Sequence, residues 1–182
     1  MHWDLSKLYG GFDDPKLAAD FAQAQALNRE LTALLQEKPE DVGALLVQAV
    51  RTEQKLSEKI ALVGEFTFLN LATNAKNEQA LAWMDKLMRA QVEIQQTSSA
   101  FTRYVSRVQD LDALIAREPL LKEHEYMLKT MVKDAEHVMD PAIEGPVLKM
   151  QMTGGEAWSQ LSDQIMATHM VEMEIDGEKQ SL

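Results

Sequence analysis

The pair His124-Glu125, in the stretch "LLKEHEYMLKTM" at 120–131, is the first candidate for chemistry in this sequence. In the zinc-binding pattern His-Glu-x-x-His, two imidazoles four residues apart share one face of a helix and hold the metal. The Glu between them acts as a general base. The second imidazole would have to be at position 128, which is Leu128. The pattern therefore fails, and neither residue is predicted to be catalytic.

His124 and Glu125 are instead predicted to be structural residues. His124 stands four residues before Leu128 and therefore falls on or beside the apolar stripe of its helix. It is predicted to be a packed or edge histidine. Glu125 is predicted to be solvated, or to pair with Lys122 or with Lys129 one helical turn away.

A two-metal carboxylate site is the second chemistry to consider, because the sequence is rich in helix-forming residues. Such a site needs Glu-x-x-His on two helices and a Glu on each of two others. No Glu stands three residues before any of the four histidines, and Asp134-x-x-His137 is the nearest approach. His124 and His137 are separated by about 220° around a helix. No metal-ligating residue is therefore predicted in this chain.

The sequence also contains no motif of a nucleophilic or a phosphate-binding site. There is no cysteine and no Gly-x-Ser-x-Gly turn. The glycines at 10–11 and 154–155 lack the Lys-Ser/Thr pair of a phosphate loop. The sequence therefore predicts no catalytic residue, no metal ligand and no cofactor for this chain, and substrate-binding residues remain unassigned.

Five methionines in the second half of the chain have two interpretations: Met127, Met131, Met139, Met150 and Met152. Flexible thioether side chains are able to line an adaptable peptide groove. They are also common in ordinary cores, which is the interpretation that burial statistics favour.

Charge and hydropathy exclude two classes of partner. The 182 residues include 18 Lys and Arg against 29 Asp and Glu, for a net charge of −11. This surplus repels phosphate backbones, so no nucleic-acid partner is expected. No apolar run approaches the roughly 20 residues needed to span a bilayer, and the N-terminus lacks the features of a signal peptide. A cytoplasmic location is expected, in keeping with the absence of cysteine.

Sparse glycine and proline, with abundant Ala, Leu, Gln, Glu and Lys, predict long helices. Asp13 or Asp14 is predicted to cap the first helix, with Pro15 in its first turn, and Asp41 to cap the second. Residues Trp3, Leu5, Leu8 and Tyr9 are expected to fold back onto the helices. The helices predicted after the first run from about Val42 to about Ala75, from about Glu78 to Arg117, from about 120 to 139, from about 142 to 152, and from the "TGG" break to about 170.

The tail at 171–182 has a different pattern. Val171, Met173 and Ile175 alternate with acidic residues, and Asp176-Gly177 follows. This pattern predicts a strand, a tight turn and the start of a second strand. The predicted fold class is mainly α, an elongated antiparallel bundle of long helices with a short C-terminal β-hairpin. Residues 1–182 are predicted to form a single helical domain.

Three blocks of this sequence resemble oligoendopeptidase F and its relatives among the thimet-oligopeptidase-like zinc metallopeptidases. The first is "WDLSKLYGGFDDP" at 3–15. The second is "HVMDPAIE" at 137–144, which is similar to the family phrase His-x-Leu-Ser-x-x-x-Glu and departs from it at Met139 and Asp140. The third is "TGGEAWSQLSDQIMATHMVEMEIDGE" at 153–178.

The resemblance implies an N-terminal, non-catalytic part of a longer peptidase. In that family the His-Glu-x-x-His helix lies far downstream of such a segment. The longer protein would hydrolyse oligopeptides with a zinc-activated water, and zinc is expected in its catalytic region, not in this chain. The segment 171–182 would lead into that downstream catalytic region, which is the expected partner of the helical domain.

The alternative to a peptidase domain is a function from another class, that of a free-standing acidic helical scaffold. Long amphipathic helices with a strong negative charge are suited to binding basic or apolar partner segments. Continuation of the reading frame into a zinc motif would favour the peptidase, and a stop after Leu182 would favour the interaction module.

Overall fold

The structure is a computed structural model that describes residues 4–169, 172–175 and 178–181. Within these residues the chain forms helices and two short strands. Their bounds are α1 (Pro15–Leu34), α2 (Val42–Thr73), α3 (Glu78–Val105), α4 (Leu111–Arg117), α5 (Pro119–Glu123), α6 (Glu125–Asp134), a 3-10 turn (Ala135–His137), α7 (Pro141–Gln151), a π-helical segment (Met152–Glu156), α8 (Ala157–Thr168), β1 (Glu172–Ile175) and β2 (Glu178–Ser181).

A side chain caps the N-terminus of each of the three long helices. Asp14 accepts a hydrogen bond from the backbone N–H of Lys16, and Asp41 accepts one from Ala44. These caps confirm the starts predicted for the first two helices. Asn77 caps α3 in the same way, through the N–H of Ala80. Each cap satisfies a backbone donor that has no partner within its own helix.

Helices α1, α2 and α3 pack as an antiparallel group. Asp20 near the start of α1 meets Lys59 in the second half of α2, whereas Glu30 near the end of α1 meets Thr52. The order of contacts along α1 is therefore reversed along α2. At 1.5 Å per residue, α2 is about 48 Å long and the longest of the three.

Two apolar clusters occupy the interior of the helical bundle. The larger cluster joins α1, α2 and α3 to the three short helices that follow, and it contains Ala24, Leu27, Leu31, Leu46, Ala49, Val50, Leu56, Phe101, Val105, Ile115, Leu121 and Leu128. The smaller cluster lies toward the other end of α2 and contains Tyr9, Leu17, Val63, Phe66, Trp83 and Leu87.

The segment before α1 folds back onto the smaller cluster, as predicted. Tyr9 is buried and its ring meets the ring of Phe66 edge-to-face, with 5.2 Å between centroids. Leu5 and Leu8 pack against the same cluster. Trp3, which was expected to join them, lies outside the described residues.

The predicted helix from Glu78 to Arg117 is wrong in its second part. Helix α3 ends at Val105, and Asp110 adopts the left-handed conformation with φ 51° before α4 begins. Asp tolerates this conformation better than most residues. The turn directs α4 back toward the bundle, where Ile115 is buried in the larger cluster.

Two other helix boundaries also differ from the prediction. The helix predicted from about 120 is divided at His124, whose backbone is not helical (φ −99°, ψ 17°). The predicted break at "TGG" is absent, because 152–156 form a π-helical segment between α7 and α8. Glycine weakens a helix by about 1 kcal/mol but does not end it. The chain is therefore helical throughout 141–168.

The predicted fold class joins a C-terminal β-hairpin to the helical bundle, whereas the bundle as described consists of helices alone and the two strands pair only with each other. β1 and β2 pair antiparallel with each other, with Glu172 opposite Ser181 and Ile175 opposite Glu178, in a sheet of only these two strands. Two isolated strands of this length are marginal in water. Val171 and the predicted turn Asp176-Gly177 lie outside the described residues.

A buried polar trio joins the folded-back segment to α1 and α2. The Tyr9 hydroxyl donates to Asp20 Oδ2 at 3.0 Å, and Lys59 Nζ donates to Asp20 Oδ1 at 2.7 Å. Burial and the bond to Asp20 raise the pKa of the Tyr9 phenol. Burial also raises the pKa of Asp20, but the hydrogen bonds from Lys59 and Tyr9 outweigh it, so the net shift of that pKa is downward.

Replacement of Tyr9 by Phe should lower the free energy of unfolding by about 1 to 3 kcal/mol, because the buried Asp20 carboxylate loses a hydrogen-bond donor. Urea denaturation followed by circular dichroism measures this change. Tyr126→Phe is the matched control, since Tyr126 is 85% exposed. Equal stability of the two variants would show that the Tyr9 hydroxyl does not stabilise the docked segment.

Candidate functional site

His124, the first candidate for chemistry, lies at the junction of α5 and α6. Its ring Nε2 is hydrogen-bonded to the Gln54 side chain of α2, with 2.7 Å between the two nitrogens. Leu128, at the position of the missing zinc ligand, is fully buried in the larger cluster. The half-buried imidazole therefore ties α5 and α6 to α2, and no second imidazole lies one turn away.

Glu125 is held between two lysines. Its carboxylate accepts from Lys122 at 2.6 Å and lies 2.7 Å from Lys129, so the predicted pairing is confirmed with both partners. These hydrogen bonds lower the pKa of Glu125 to about 2. A carboxylate with such a low pKa is a weak general base near neutral pH.

Metal-ligating side chains do not converge in the part of the chain that the structure describes. No group of three or more His, Asp or Glu side chains that could hold a metal ion occurs there. Asp134 and His137, the nearest approach to a di-metal motif in the sequence, are both exposed near the end of α6. The bundle as described offers no set of ligands for zinc.

The five methionines divide between core and surface. Met127 and Met131 pack against the larger apolar cluster. Met139 and Met150 are 42% and 71% exposed. Met152 lines a surface groove instead. The core interpretation is therefore confirmed for Met127 and Met131, and the peptide-groove interpretation stays a prediction for Met152.

An apolar groove of about 850 Å³ lies between the α2–α3 pair and the helix α8. The α2 and α3 walls are mainly apolar and include Phe68, Leu71, Leu81, Met84 and Met88. The side of α8 that faces the groove is formed by Ala157, Gln160, Asp163, Gln164 and Ala167. A groove of this size and lining is typical of sites that bind ligands or chain segments.

Another face of α8 carries a stripe of exposed apolar side chains. Trp158, Leu161 and Ile165 are spaced by three and four residues, so they share one face, and they are 71%, 44% and 54% exposed. Met166 beside them is 77% exposed. An apolar patch of this kind on an otherwise acidic surface indicates an interaction site. We call Trp158, Leu161, Ile165 and Met166 the α8 stripe.

A largely buried ion pair between α3 and α7 holds the start of the continuous helical segment 141–168 against α3. Arg103 donates to Glu144 Oε2 from both terminal nitrogens, at 3.3 and 3.4 Å, and also to the carbonyl of Met139 at 3.2 Å. The side chains of Arg103 and Glu144 are only 19% and 5% exposed. Burying a charge is unfavourable unless it is paired, so this geometry requires both partners.

Close backbone approach accompanies the ion pair. A Cβ placed on Gly145 would come within 2.5 Å of the terminal amide of Gln96 on α3, so α7 lies close to α3 here and a larger residue would make that flexible amide shift. Asp140 caps α7 through the N–H of Ala142. In the block "HVMDPAIE", Glu144 therefore positions a helix, while His137 lies in solvent.

The role of Arg103 was not predicted from the sequence. Arg103 and Glu144 are 41 residues apart, and charge pairs at that separation have no periodic signature. The one available signal was Glu144 itself, a carboxylate in the otherwise uncharged run "PAIEGPVL". A charge in such a run requires a partner if it is buried.

Replacement of Glu144 by Leu should destabilise the chain by about 3 to 5 kcal/mol, because the largely buried Arg103 guanidinium loses its charge partner and keeps only the Met139 carbonyl as an acceptor. The double variant Arg103→Met, Glu144→Leu should recover much of this loss. Chemical denaturation of the single and double variants measures both effects. Arg89→Met, Asp85→Leu is the control, since that pair is exposed on α3. Additive losses in the Arg103–Glu144 cycle would contradict a coupled pair.

Comparison of the sequence with known protein families gives one match. Residues 108–169 match the family model of the peptidase N-terminal domain described as Oligopeptidase F. The matched 62 of 182 residues, about a third of the chain, run from the turn before α4 to the end of α8. A search of curated proteins and a search of solved structures gave no significant match.

The matched segment includes Glu144 with its helix α7 and the whole α8 stripe. It also includes the second block of the resemblance seen in the sequence, "HVMDPAIE". The match supports that resemblance over residues 108–169, which are similar to the oligopeptidase F N-terminal domain.

Proposed function

We propose that this chain is the N-terminal helical domain of a zinc-dependent oligopeptidase, where it forms part of the lobe around the substrate channel and is itself non-catalytic. The observation that carries the proposal is the match of residues 108–169 to the oligopeptidase F N-terminal domain. Catalysis belongs, in this proposal, to a downstream region with the His-Glu-x-x-His motif, where zinc activates the attacking water.

The α8 stripe supports a docked partner for this domain. Four large apolar side chains stand exposed on one short helix inside the matched segment. Burying an apolar side chain contributes about 1.5 to 3 kcal/mol, so covering this stripe would supply much of an interdomain contact. The partner that fits the family assignment is the catalytic region of the same protein.

The apolar groove beside α8 supports a role next to peptide substrates. Its walls combine methionine, leucine and phenylalanine with a few polar side chains from α8. Methionine-rich walls adapt to varied side chains, which suits a protein that accepts many short peptides. Oligopeptides are the proposed substrate class of the longer enzyme, and the cytoplasm is its proposed location. No helix of the described residues is long and apolar enough to cross a membrane.

A free-standing acidic interaction module is the second candidate. The observation that favours it is the same α8 stripe on a chain with net charge −11, since an amphipathic helix of another protein would cover it equally well. The two candidates differ in what the complete reading frame encodes and in whether the protein turns over peptides.

The proposal is tested by expressing the complete reading frame beside the 182-residue chain and assaying both with internally quenched peptides of five to twelve residues. We expect the longer protein to contain about one zinc per molecule, to cleave the peptides, and to lose activity on chelation. The 182-residue chain alone should show neither zinc nor turnover, because Leu128 replaces the second ligand of its single His-Glu pair.

Two results would contradict the proposal. A reading frame without any His-Glu-x-x-His motif would favour the interaction module. Stoichiometric zinc with turnover in the isolated 182-residue chain would show that catalysis resides in the bundle itself. A variant of the longer protein with its motif Glu replaced by Gln controls for contaminating peptidases, since it should bind zinc without cleaving peptide.

A further inference from the structure

Helix α8 has the reverse of the usual orientation of an amphipathic helix. Its side toward the apolar groove carries Gln160, Asp163 and Gln164, whereas the α8 stripe lies about 150° away around the helix and is exposed to solvent. An amphipathic helix normally directs its apolar face to the rest of the protein and its polar face to water. Burial of apolar surface therefore favours an orientation of α8 different from the one described.

The sides of α2 and α3 across the groove supply a matching apolar surface. We call its five large apolar side chains the α2–α3 wall: Phe68, Leu71, Leu81, Met84 and Met88. Phe68 is 57% exposed, and the other four are half-buried. The groove of about 850 Å³ separates this wall from α8. Contact between the wall and the α8 stripe would remove apolar surface of both from water, which is favourable in proportion to the area buried.

Helix α8 is held only weakly in its described position. All twelve of its residues are exposed. The Gln160 side chain donates a hydrogen bond to the sulfur of Met88 on α3, and a thioether sulfur is a weak acceptor. The hydroxyl of Thr168 bonds within α8 itself, to the carbonyl of Gln164. No side chain of α8 is therefore buried against the bundle, and a change in its orientation would break little.

The segment between α7 and α8 has the features of a hinge. Residues Met152–Glu156 are π-helical and include Gly154 and Gly155. A Cβ on either glycine would meet nothing within 4 Å, and neither glycine has a positive φ, so packing does not require a glycine at these positions. Helices bend at glycines and at π-helical turns. A π-helical turn also holds more residues than an α-helical turn, so conversion between the two rotates the helix that follows.

We propose that α8 is a lid that closes on its own bundle. The segment 152–156 bends and turns, the α8 stripe packs on the α2–α3 wall, and the groove is filled. Helix α7 stays in place, because the ion pair of Arg103 and Glu144 holds it against α3. This inference goes beyond the proposed function, since it gives the α8 stripe an intramolecular partner that competes with any catalytic region for the same surface.

The register of α8 along α3 selects the positions for a test. Glu144 meets Arg103, and further along the chain Gln160 meets Met88, which is earlier on α3. The helical segment 141–168 therefore runs antiparallel to α3. One turn after Gln160 on α8 is accordingly level with one turn before Met88 on α3, which is the position of Met84.

The test is disulfide formation between pairs of introduced cysteines in the 182-residue chain, whose sequence contains no cysteine of its own. The pair Ile165→Cys, Met84→Cys reports the closed form, because Ile165 belongs to the α8 stripe. The pair Gln164→Cys, Met84→Cys reports the open form, since both residues line the groove. The pair Ile165→Cys, Arg51→Cys gives the background rate, because Arg51 is exposed about 30 Å from Leu71 along α2.

With oxidised glutathione as the oxidant, we expect the closed-form pair to form its disulfide within one chain at least about tenfold faster than the background pair. Adding Gly154→Ala and Gly155→Ala should slow the closed-form pair by about tenfold, because alanine stiffens a helix relative to glycine. The open-form pair should keep its rate in that variant. Adding Leu161→Gln should also slow the closed-form pair, because it removes apolar surface from an exposed position.

Three results would overturn the proposal. The first is a closed-form pair that reacts no faster than the background pair. The second is an unchanged rate of the closed-form pair in the alanine variant, because the proposal places the movement at Gly154 and Gly155. The third is a disulfide that forms only between two chains, which would show that a second copy covers the α8 stripe. None of these results concerns peptide cleavage by the longer protein, so the two proposals fail separately.

Discussion

The buried ion pair between Arg103 and Glu144 is the interaction on which the functional surface depends. It fixes α7 against α3, and Gly145 lies beside the terminal amide of Gln96 at that point. Because 141–168 are helical throughout, the direction of α8 follows from the way α7 is held. Every residue of α8 is itself exposed. Its position beside the groove is therefore set by the hold on α7 together with the contact of Gln160 with Met88 of α3.

This arrangement separates the stable part of the molecule from the part that faces partners. Helices α1 to α6 enclose the larger apolar cluster, which includes the fully buried Phe101. The α8 stripe contributes nothing to that cluster and leaves its apolar side chains in solvent. A bundle that is already closed can present such a stripe without losing its own core. This division suits the role we propose, in which the domain would hold a channel wall against a catalytic region.

Local chemistry accounts for the parts of the fold that the sequence predicts. The Asp14 and Asp41 caps and the lengths of the first two helices follow from residues next to each helix end. The division at His124 and the left-handed turn at Asp110 do not follow from neighbouring residues. Packing against the larger cluster decides where the chain bends there. The ion pair of Glu144 was also hidden, since its partner is 41 residues away. The groove between the α2–α3 pair and α8 arises from helix packing, which the apolar pattern of each helix does not specify.

Hydrogen exchange of the α8 backbone amides tests the central claim most directly, because that claim makes the α8 stripe the surface covered by the rest of a peptidase. The amides at 157–168 are measured in the 182-residue chain and in the protein expressed from the complete reading frame. We expect exchange in the longer protein to slow by about a hundredfold or more, since docking suppresses local opening of an exposed helix. Equal exchange rates at 157–168 in the two proteins would contradict the account.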